Sequence, residues 1–271
     1  MSGNFWKSSH CTQWIWDPQE LELNRLSDVE ALGGIQNYTK LMSIFANIIQ
    51  TCGENLRVRQ QVIATATIYF KRFYTKYRLK DCDPLIMMPT SLYLASKVEE
   101  FGVLSNTRLI STMTTAIKSK FNYVFGNIEY GYRNGNLIET EFYLLELMDC
   151  SLVVYHPYRN LLQYIEDFGH KDKVLPLAWR ICNDMLRTDI PLTQPPHMQA
   201  LAALYMAASS CDIDSRQWFA DTTVNMENIV KIVNEVLQYY ALMKNVNDKS
   251  KELAAIYNRM PKAQTSRHGK K

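Results

Sequence analysis

Apolar side chains recur at helical spacing from Tyr38 to Tyr240, and this periodicity is the strongest constraint on the fold. Five such segments precede a linker at Tyr155-His156-Pro157 and five follow it, a weak internal duplication with a period of about a hundred residues. That period is too long for a solenoid and suits two helical domains. Ten glycines and nine prolines are few for 271 residues, which also favours helices over strands. We therefore predict an all-α protein with two five-helix repeats.

Four segments follow from this pattern: an N-terminal helical arm at 1–35, a first repeat at 36–152, a second at 153–244, and a C-terminal helix with a basic tail at 245–271. Gly53 is expected to end the first helix of the first repeat. The fifth helix of that repeat is expected to turn Ile138, Phe142 and Leu145 inward. The arm carries Trp6, Trp14 and Trp16, which either fold back on their own domain or contact a partner.

The net charge of +3 is too small to indicate nucleic-acid binding by itself. The densest basic run consists of Lys71, Arg72, Lys76, Arg78 and Lys80. Two interpretations stay open for this run. It forms either the solvated side of a helix or a docking surface for an acidic protein partner.

The six cysteines include no C-x-x-C pair, so we expect buried free thiols. The first residues contain no apolar signal region, and no stretch of 18 apolar residues occurs. These features favour an intracellular protein in a reducing compartment, and they do not separate cytosol from nucleus.

The sequence offers no recognisable catalytic or cofactor site. The glycine-containing loop at 126–135 lacks the Lys-Ser/Thr pair of a phosphate loop and does not follow a predicted strand. The five histidines are scattered, and no two share a helix face as a metal site needs. We therefore predict a non-catalytic protein that uses neither a cofactor nor a metal.

Two opposite charges stand out on helices that otherwise resemble core. Residues 81–84 are predicted to form a turn with a helix start, and Pro89 also stands where a helix can begin. Lys97 follows on the edge of the apolar stripe, just before Glu99 and Glu100. Glu141 occupies a similar edge on the fifth helix. An unpaired buried charge costs several kcal/mol, so Lys97 and Glu141 are expected to pair. The pair either ties two helices together or lies at a surface and hydrogen-bonds another protein's backbone.

Three stretches resemble the cyclin box: V-I-A-T-A-T-I-Y-F-K-R-F at 62–73, M-P-T-S-L-Y-L-A-S-K-V-E-E at 88–100 and E-F-Y-L-L-E-L-M-D-C at 141–150. The resemblance implies two cyclin-box repeats and a regulatory subunit that binds and activates a cyclin-dependent kinase. It also implies that Lys97 and Glu141 are the kinase-binding pair, that Glu99 and Glu100 are rim contacts, and that Trp6 adds partner-specific area.

Further segments, G-N-F-W-K-S-S-H at 3–10 and Y-H-P-Y-R at 155–159, resemble the cyclins whose kinase is associated with Mediator. This implies Mediator kinase-module subunits as partners and a nuclear role in RNA polymerase II transcription, without direct contact to nucleic acid or membrane. The M-R-A-I-L docking patch of cell-cycle cyclins is missing from the first helix. The alternative is a cyclin-box general transcription factor of the TFIIB-like type, which would contact DNA through a basic stripe.

Overall fold

A computed structural model describes residues 3–222, 224–244 and 250–262. Within these ranges the regular secondary structure is helical throughout and no strand occurs, which confirms the predicted all-α class. The described residues form two compact units. The larger unit contains 18–152 and 250–262, and the smaller unit contains 3–17 and 153–244. The four-segment division of the sequence stays a prediction.

A short 3-10 turn at Phe5–Lys7 precedes the α-helices. The α-helices are α1 Ser9–Gln13, α2 Pro18–Asn24, α3 Leu26–Leu32, α4 Ile35–Asn55, α5 Gln60–Lys76, α6 Pro84–Val98, α7 Asn106–Lys118, α8 Asn122–Phe125, α9 Asn134–Leu147, α10 Tyr158–Phe168, α11 Lys171–Met185, α12 Ile190–Thr193, α13 Pro196–Ser210, α14 Arg216–Asp221, α15 Met226–Met243 and α16 Ser250–Arg259.

The core of the larger unit is built around α6, which packs against α4, α5, α7 and α9. This helix is apolar on nearly every side, as expected for a helix surrounded by others. Phe45 of α4 and Phe70 of α5 meet edge to face in the same core, with ring centroids 5.7 Å apart. The segment predicted as the first repeat contains α4, α5, α6, α7 and α9, with the short α8 between the last two.

The start of α6 confirms the helix start predicted at 81–84 and corrects the expectation placed on Pro89. The helix begins at Pro84, not at Pro89, because the Asp83 side chain caps it by accepting a hydrogen bond from the Leu85 N–H at 2.9 Å. Pro89 lies inside the helix and has no N–H to donate to the Leu85 carbonyl. The Tyr130 hydroxyl donates to that carbonyl instead, at 3.0 Å. The proline is thus tolerated because a side chain from a distant loop satisfies the free acceptor.

The same loop, which joins α8 to α9, is fastened to the cap of α6 at a second point. The Tyr132 hydroxyl donates to Asp83 Oδ2 at 2.6 Å. Near its end, Asn134 Nδ2 donates to Thr107 Oγ1 on α7 at 3.2 Å. The loop is therefore held against the start of α6 by side-chain hydrogen bonds.

Gly53 lies inside α4 and does not end it, which corrects a second expectation. A Cβ atom at this position would lie 2.4 Å from Ile63 Cγ1 and 2.6 Å from Ile63 Cδ1 on α5. Contacts that short do not occur between real atoms, so only glycine lets α5 approach α4 this closely. The residue serves helix packing, and the helix ends two residues later, at Asn55.

Gly53→Ala is expected to lower the free energy of unfolding by about 1–3 kcal/mol, because the added methyl overpacks the contact with Ile63. This loss exceeds the gain of up to about 1 kcal/mol that alanine brings to a helix interior. Urea denaturation measures the difference. The matched control is Gly135→Ala in the first turn of α9, where a Cβ meets nothing within 4 Å, and which should be neutral or stabilising. Equal effects at the two sites would contradict the packing role of Gly53.

In the smaller unit, α13 takes the central position and packs against α10, α11 and α15. The N-terminal arm folds onto this unit. Trp14 is buried, and the backbone N–H of Trp16 donates to the Leu192 carbonyl at 2.8 Å. Trp6 differs from them, because 62% of it remains exposed. Each interpretation of the arm therefore fits a different residue. Trp14 folds back on its own unit, whereas Trp6 is exposed and accessible to a partner.

The basic run divides into a buried part and an exposed part, so neither of its two interpretations holds for all five residues. Lys71 and Arg72 are buried because α5 packs against α4, α6 and α9. Arg72 Nη1 donates to the Ser151 carbonyl at 3.3 Å. Lys76, Arg78 and Lys80 are exposed. Neither a docking surface for an acidic protein nor a stripe for DNA can use the first two residues of the run.

Candidate functional site

Lys97 and Glu141 meet at the surface of the larger unit. Lys97 lies in the last turn of α6 and Glu141 in the middle of α9. The Lys97 Nζ atom is 2.7 Å from Glu141 Oε1 and 2.9 Å from Oε2, so it contacts both carboxylate oxygens. The Lys97 side chain is 33% exposed and that of Glu141 is 11% exposed. The pair predicted from the sequence therefore forms, and solvent reaches it mainly from the lysine side.

Lys97 is held as a cation by its surroundings. Burial lowers the pKa of Lys97, but the hydrogen bond and the charge of Glu141, together with Tyr93, outweigh burial and leave that pKa raised. Its Nζ atom also lies 4.0 Å from the centroid of the Tyr93 ring, in a cation–π contact. A charged ammonium has three N–H donors, whereas a carboxylate has acceptor sites only. The pair therefore presents a donor and an acceptor side by side, which suits the backbone of another chain.

The two acidic residues that follow α6 occupy different environments. Glu99 is half-buried and turned towards α5, where it accepts hydrogen bonds from Thr65 Oγ1 at 2.5 Å and from Gln61 Nε2 at 2.6 Å. Glu100 is exposed, with a left-handed φ of 50°. The structure thus brings Glu99 onto its own unit and leaves Glu100 on the surface beside Lys97.

Lowering the pH from about 7 to about 5 is expected to stabilise the wild-type chain relative to Glu99→Gln. Burial raises the pKa of the Glu99 carboxyl, although the hydrogen bonds from Thr65 and Gln61 lower it in part. Because the folded chain holds the proton more tightly, the stabilising contribution is complete below the ordinary pKa of 4.5 and is lost as the pH rises through the folded value. Urea denaturation over a series of pH values measures this. Thr65→Val should make the free energy of unfolding depend more strongly on pH, because it removes a hydrogen bond that lowers the pKa of Glu99. Parallel plots of unfolding free energy against pH for wild type and Glu99→Gln would contradict this prediction.

The outer face of α9 carries large apolar side chains that the sequence analysis assigned to the core. Phe142 is 67% exposed, and Ile138 and Tyr143 are also exposed, so the predicted inner face was wrong. The buried face instead contains Leu137, Leu144 and Leu147. Glu141 lies on the buried side next to this apolar surface. Exposed apolar residues grouped in this way are typical of a site that another protein covers.

Trp6 belongs to the smaller unit, separate from the unit that holds Lys97 and Glu141. It packs edge to face against Phe5 at 5.3 Å and lies 5.3 Å from the His197 ring. These three residues and Tyr155, Asn160 and Tyr164 line a cavity of about 420 Å³. Burial lowers the pKa of His197. The exposed indole and this cavity make Trp6 a candidate contact residue independent of the charge pair.

The described part of the chain contains no cluster of three or more His, Cys, Asp or Glu residues that is arranged to hold a metal ion. In the same residues, no helix has the length and apolar character needed to cross a bilayer. The basic residues of the predicted tail from Arg267 onward lie outside the described residues.

Comparison with known proteins places these features in a family. Residues 15–153 match the family described as the cyclin N-terminal domain. Over 263 residues the chain is 53% identical to Cyclin-C of Rattus norvegicus, covering 97% of this chain and 91% of the relative. It is 49% identical to Cyclin-C of Drosophila melanogaster, covering 97% of each protein.

Solved structures share the fold at lower identity. A chain of the CAK complex from Chaetomium thermophilum bound to ATP-γ-S aligns with a TM-score of 0.70 and 17% identity, covering 94% of this chain and 88% of that one. A chain of the yeast TFIIK complex aligns with a TM-score of 0.62 and 21% identity, covering 85% and 99%. These likenesses support the architecture of helices described above.

Proposed function

The chain belongs to the cyclin family, and from that premise we propose that it is a regulatory, non-catalytic subunit that binds and activates a transcription-associated cyclin-dependent kinase. The observation that carries this proposal is the Lys97–Glu141 pair, which offers a donor and an acceptor at a surface. Beside it lies the apolar outer face of α9 with Phe142. Such a surface is suited to a protein partner.

Activation would follow from docking the α6–α9 face against the kinase's regulatory helix. Lys97 and Glu141 would hydrogen-bond the kinase backbone beside that helix and fix its position. Pressing the helix inward completes the Lys–Glu ion pair within the kinase, which phosphoryl transfer requires. An obligate interface of this kind buries on the order of 2,000 Å² or more.

The charge around the pair supports a basic counterpart on the kinase. Residues 134–152 contain no Lys or Arg, and Glu139, Glu146 and Asp149 are exposed there. Glu99 and Glu100 are proposed as further acidic rim contacts, with Glu100 the more accessible of the two. Complementary charge at a rim raises the association rate and suppresses wrong partners, so this surface favours a kinase with basic residues around its docking site.

We further propose that the kinase is the Mediator-associated one, that Mediator kinase-module subunits are additional partners, and that the protein acts in the nucleus on RNA polymerase II transcription. The relatives named Cyclin-C support this assignment. A chain of the yeast RNA polymerase II CTD kinase complex CTDK-1 shares the fold, with a TM-score of 0.66 and 14% identity. Trp6, exposed on the smaller unit, is proposed to add partner-specific contact area.

Two experiments test the proposal, the first for kinase activation and the second for the assignment to the Mediator kinase module. A purified transcription kinase should gain activity when this chain is added and should lose that gain with the double variant Lys97→Ala/Glu141→Ala. Affinity purification from nuclear extract followed by mass spectrometry should recover one kinase together with Mediator subunits. Activation without recovery of Mediator subunits would refute the finer assignment only.

The DNA-binding alternative loses its main support in the structure. It needs a continuous basic stripe that reaches phosphates, and Lys71 and Arg72 of the candidate run are buried. A gel shift at low salt is expected to show no complex with duplex DNA. A complex that weakens steeply with added salt would revive that alternative.

A further inference from the structure

The cavity beside Trp6 lies wholly within the smaller unit and is walled by aromatic rings. We call it the Trp6 cavity. Its volume of about 420 Å³ falls within the usual range of ligand sites, about 300–1,000 Å³. The Phe5 ring meets the Trp6 ring edge to face at 5.3 Å and the Tyr155 ring at 5.6 Å. Tyr164 of α10, which also lines the cavity, packs against Trp218 of α14 with ring centroids 6.2 Å apart. Packing between rings therefore fixes the walls.

Local hydrogen bonds fix the turn that carries Trp6. The Trp6 backbone N–H donates to Asn4 Oδ1 at 3.0 Å. A few residues later, His10 Nδ1 accepts from the backbone N–H of Tyr155 at 3.0 Å, which ties the arm to the far wall of the cavity. The indole is thus held in place with 62% of the residue exposed. A tryptophan fixed in this way is suited to anchor a partner, because little side-chain entropy is lost on binding.

Three polar side chains that line the cavity make no hydrogen bond to any other described part of the chain. They are the indole N–H of Trp6 and the side-chain amides of Asn160 and Gln163. Asn160 and Gln163 are three positions apart on α10, so they lie on the same face of that helix. An indole N–H only donates, whereas an amide donates through its nitrogen and accepts through its oxygen. The cavity therefore offers several donors to a ligand that carries acceptors.

The cavity carries no formal charge. None of its described lining residues is Lys, Arg, Asp or Glu. Burial lowers the pKa of His197 below its ordinary value of 6.5, so this ring is neutral near pH 7. A phosphate or carboxylate would find no cation here, and an ammonium would find no carboxylate. The lining therefore fits an uncharged segment that combines apolar surface with free hydrogen-bond acceptors.

We propose that the Trp6 cavity binds a proline-rich segment of a partner protein in the polyproline II conformation. Such a segment makes no internal hydrogen bonds, so its carbonyls are free to accept from Trp6, Asn160 and Gln163. Its proline rings pack on aromatic walls, as in other aromatic-lined grooves that bind proline-rich segments. The proposal rests on the partner contact proposed above for Trp6 and gives that contact its chemistry. It does not depend on Lys97 and Glu141.

The test is a titration of the full chain against a fluorescent oligoproline of about ten residues, with anisotropy as the measurement. We expect saturable binding with a dissociation constant of about 1 mM or tighter. A Gly/Ser peptide of the same length should not bind, because it is flexible and lacks the proline rings. No saturable binding of the oligoproline overturns the proposal.

Substitutions of Trp6 locate the binding site. Trp6→Ala should weaken oligoproline binding about tenfold or more, because it removes the exposed anchor. Trp6→Phe keeps a ring but loses the N–H donor, and should weaken binding about two- to tenfold. The matched control is Leu237→Ala on α15, in the same unit, where an apolar residue is 51% exposed outside the cavity. Equal binding to wild type and Trp6→Ala overturns the proposal.

A second peptide tests the ligand class. Aromatic walls also bind quaternary ammonium groups, so a peptide that contains trimethyllysine is titrated in parallel. Tighter binding of that peptide than of oligoproline overturns the proposal. These titrations contain no kinase, so their failure is distinct from a failure of activation through Lys97 and Glu141. If Trp6→Ala loses a partner in affinity purification while oligoproline does not bind, the contact of Trp6 stands and its proline chemistry is wrong.

Discussion

Replacing either Lys97 or Glu141 with alanine is expected to weaken binding of the partner kinase from about thirtyfold to a few thousandfold. Each substitution removes one member of a pair whose atoms lie 2.7 Å apart and leaves the other charge covered by the kinase without its partner. Isothermal titration with the purified kinase measures the dissociation constant. Kinase activity at saturating concentrations of the variant separates weakened binding from failed activation.

The matched control is another ion pair with similar distances but full exposure. Arg216 Nη2 lies 2.8 Å from Asp214 Oδ2 in the smaller unit, with both side chains largely in solvent. Arg216→Ala should leave kinase binding unchanged, because an exposed pair contributes little and desolvates nothing. A double-mutant cycle on Lys97 and Glu141 then isolates their coupling. Wild-type affinity in both single variants would remove the pair from the interface.

The pairing of Lys97 with Glu141 could be predicted from the sequence because the cost of an unpaired charge leaves few alternatives. Each charge lies at the edge of an apolar stripe, and the two residues are 44 positions apart. No local interaction brings them together, but burial on two packed helices requires a partner for each. The all-α class was equally predictable, since the helical period is repeated along most of the chain.

The register of α9 could not be predicted in the same way. Ile138 and Phe142 are as apolar as Leu137 and Leu144, and both sets follow helical spacing. A helix face covered by a partner protein carries apolar residues just as a face buried in the core does, so hydrophobicity alone does not distinguish the two faces of α9. The packing of α9 against α6 fixes which set is buried. Tertiary packing therefore decides which face of α9 is buried.

Long-range contacts also explain why the surroundings of Gly53 and Glu99 could not be predicted. A glycine inside a helix and a glycine at its end look alike in sequence, and the side chain of Ile63 on α5 decides between them. Glu99 resembles a free surface carboxylate until Thr65, 34 positions earlier, donates to it. The contact between Lys40 and Glu252 spans 212 positions. The sequence predicted a C-terminal helix, but the helices that it packs against, α3, α4 and α8, lie far earlier in the chain.

Arg72→Ala is expected to lower the free energy of unfolding by about 2–5 kcal/mol more than Arg72→Met does. After Trp14, Arg72 is the largest side chain that is fully buried among the described residues. Its aliphatic stem fills core volume that methionine can replace and alanine cannot. Burial, offset in part by Tyr69, lowers the pKa of Arg72 to about 9, so the charge itself is a cost that Arg72→Met removes. Urea denaturation of the three chains at one pH gives the two differences.

The Arg72→Met variant also tests what the guanidinium contributes beyond volume. Arg72 Nη1 donates to the Ser151 carbonyl, and the Tyr69 hydroxyl donates to the carbonyl of the next residue, Leu152, at 2.5 Å. The two residues before this point, Asp149 and Cys150, have φ values of 47° and 52°. Left-handed backbone at two successive non-glycine residues costs about 1 kcal/mol or more at each, so the segment needs these donors from α5 to hold it. If these hydrogen bonds stabilise the segment, the amides of 149–152 should exchange their hydrogens faster in Arg72→Met than in wild type. The free energy of unfolding of Arg72→Met should stay within about 1.5 kcal/mol of wild type. Equal losses in Arg72→Met and Arg72→Ala would assign the contribution of Arg72 to the hydrogen bonds of its guanidinium and not to its packing.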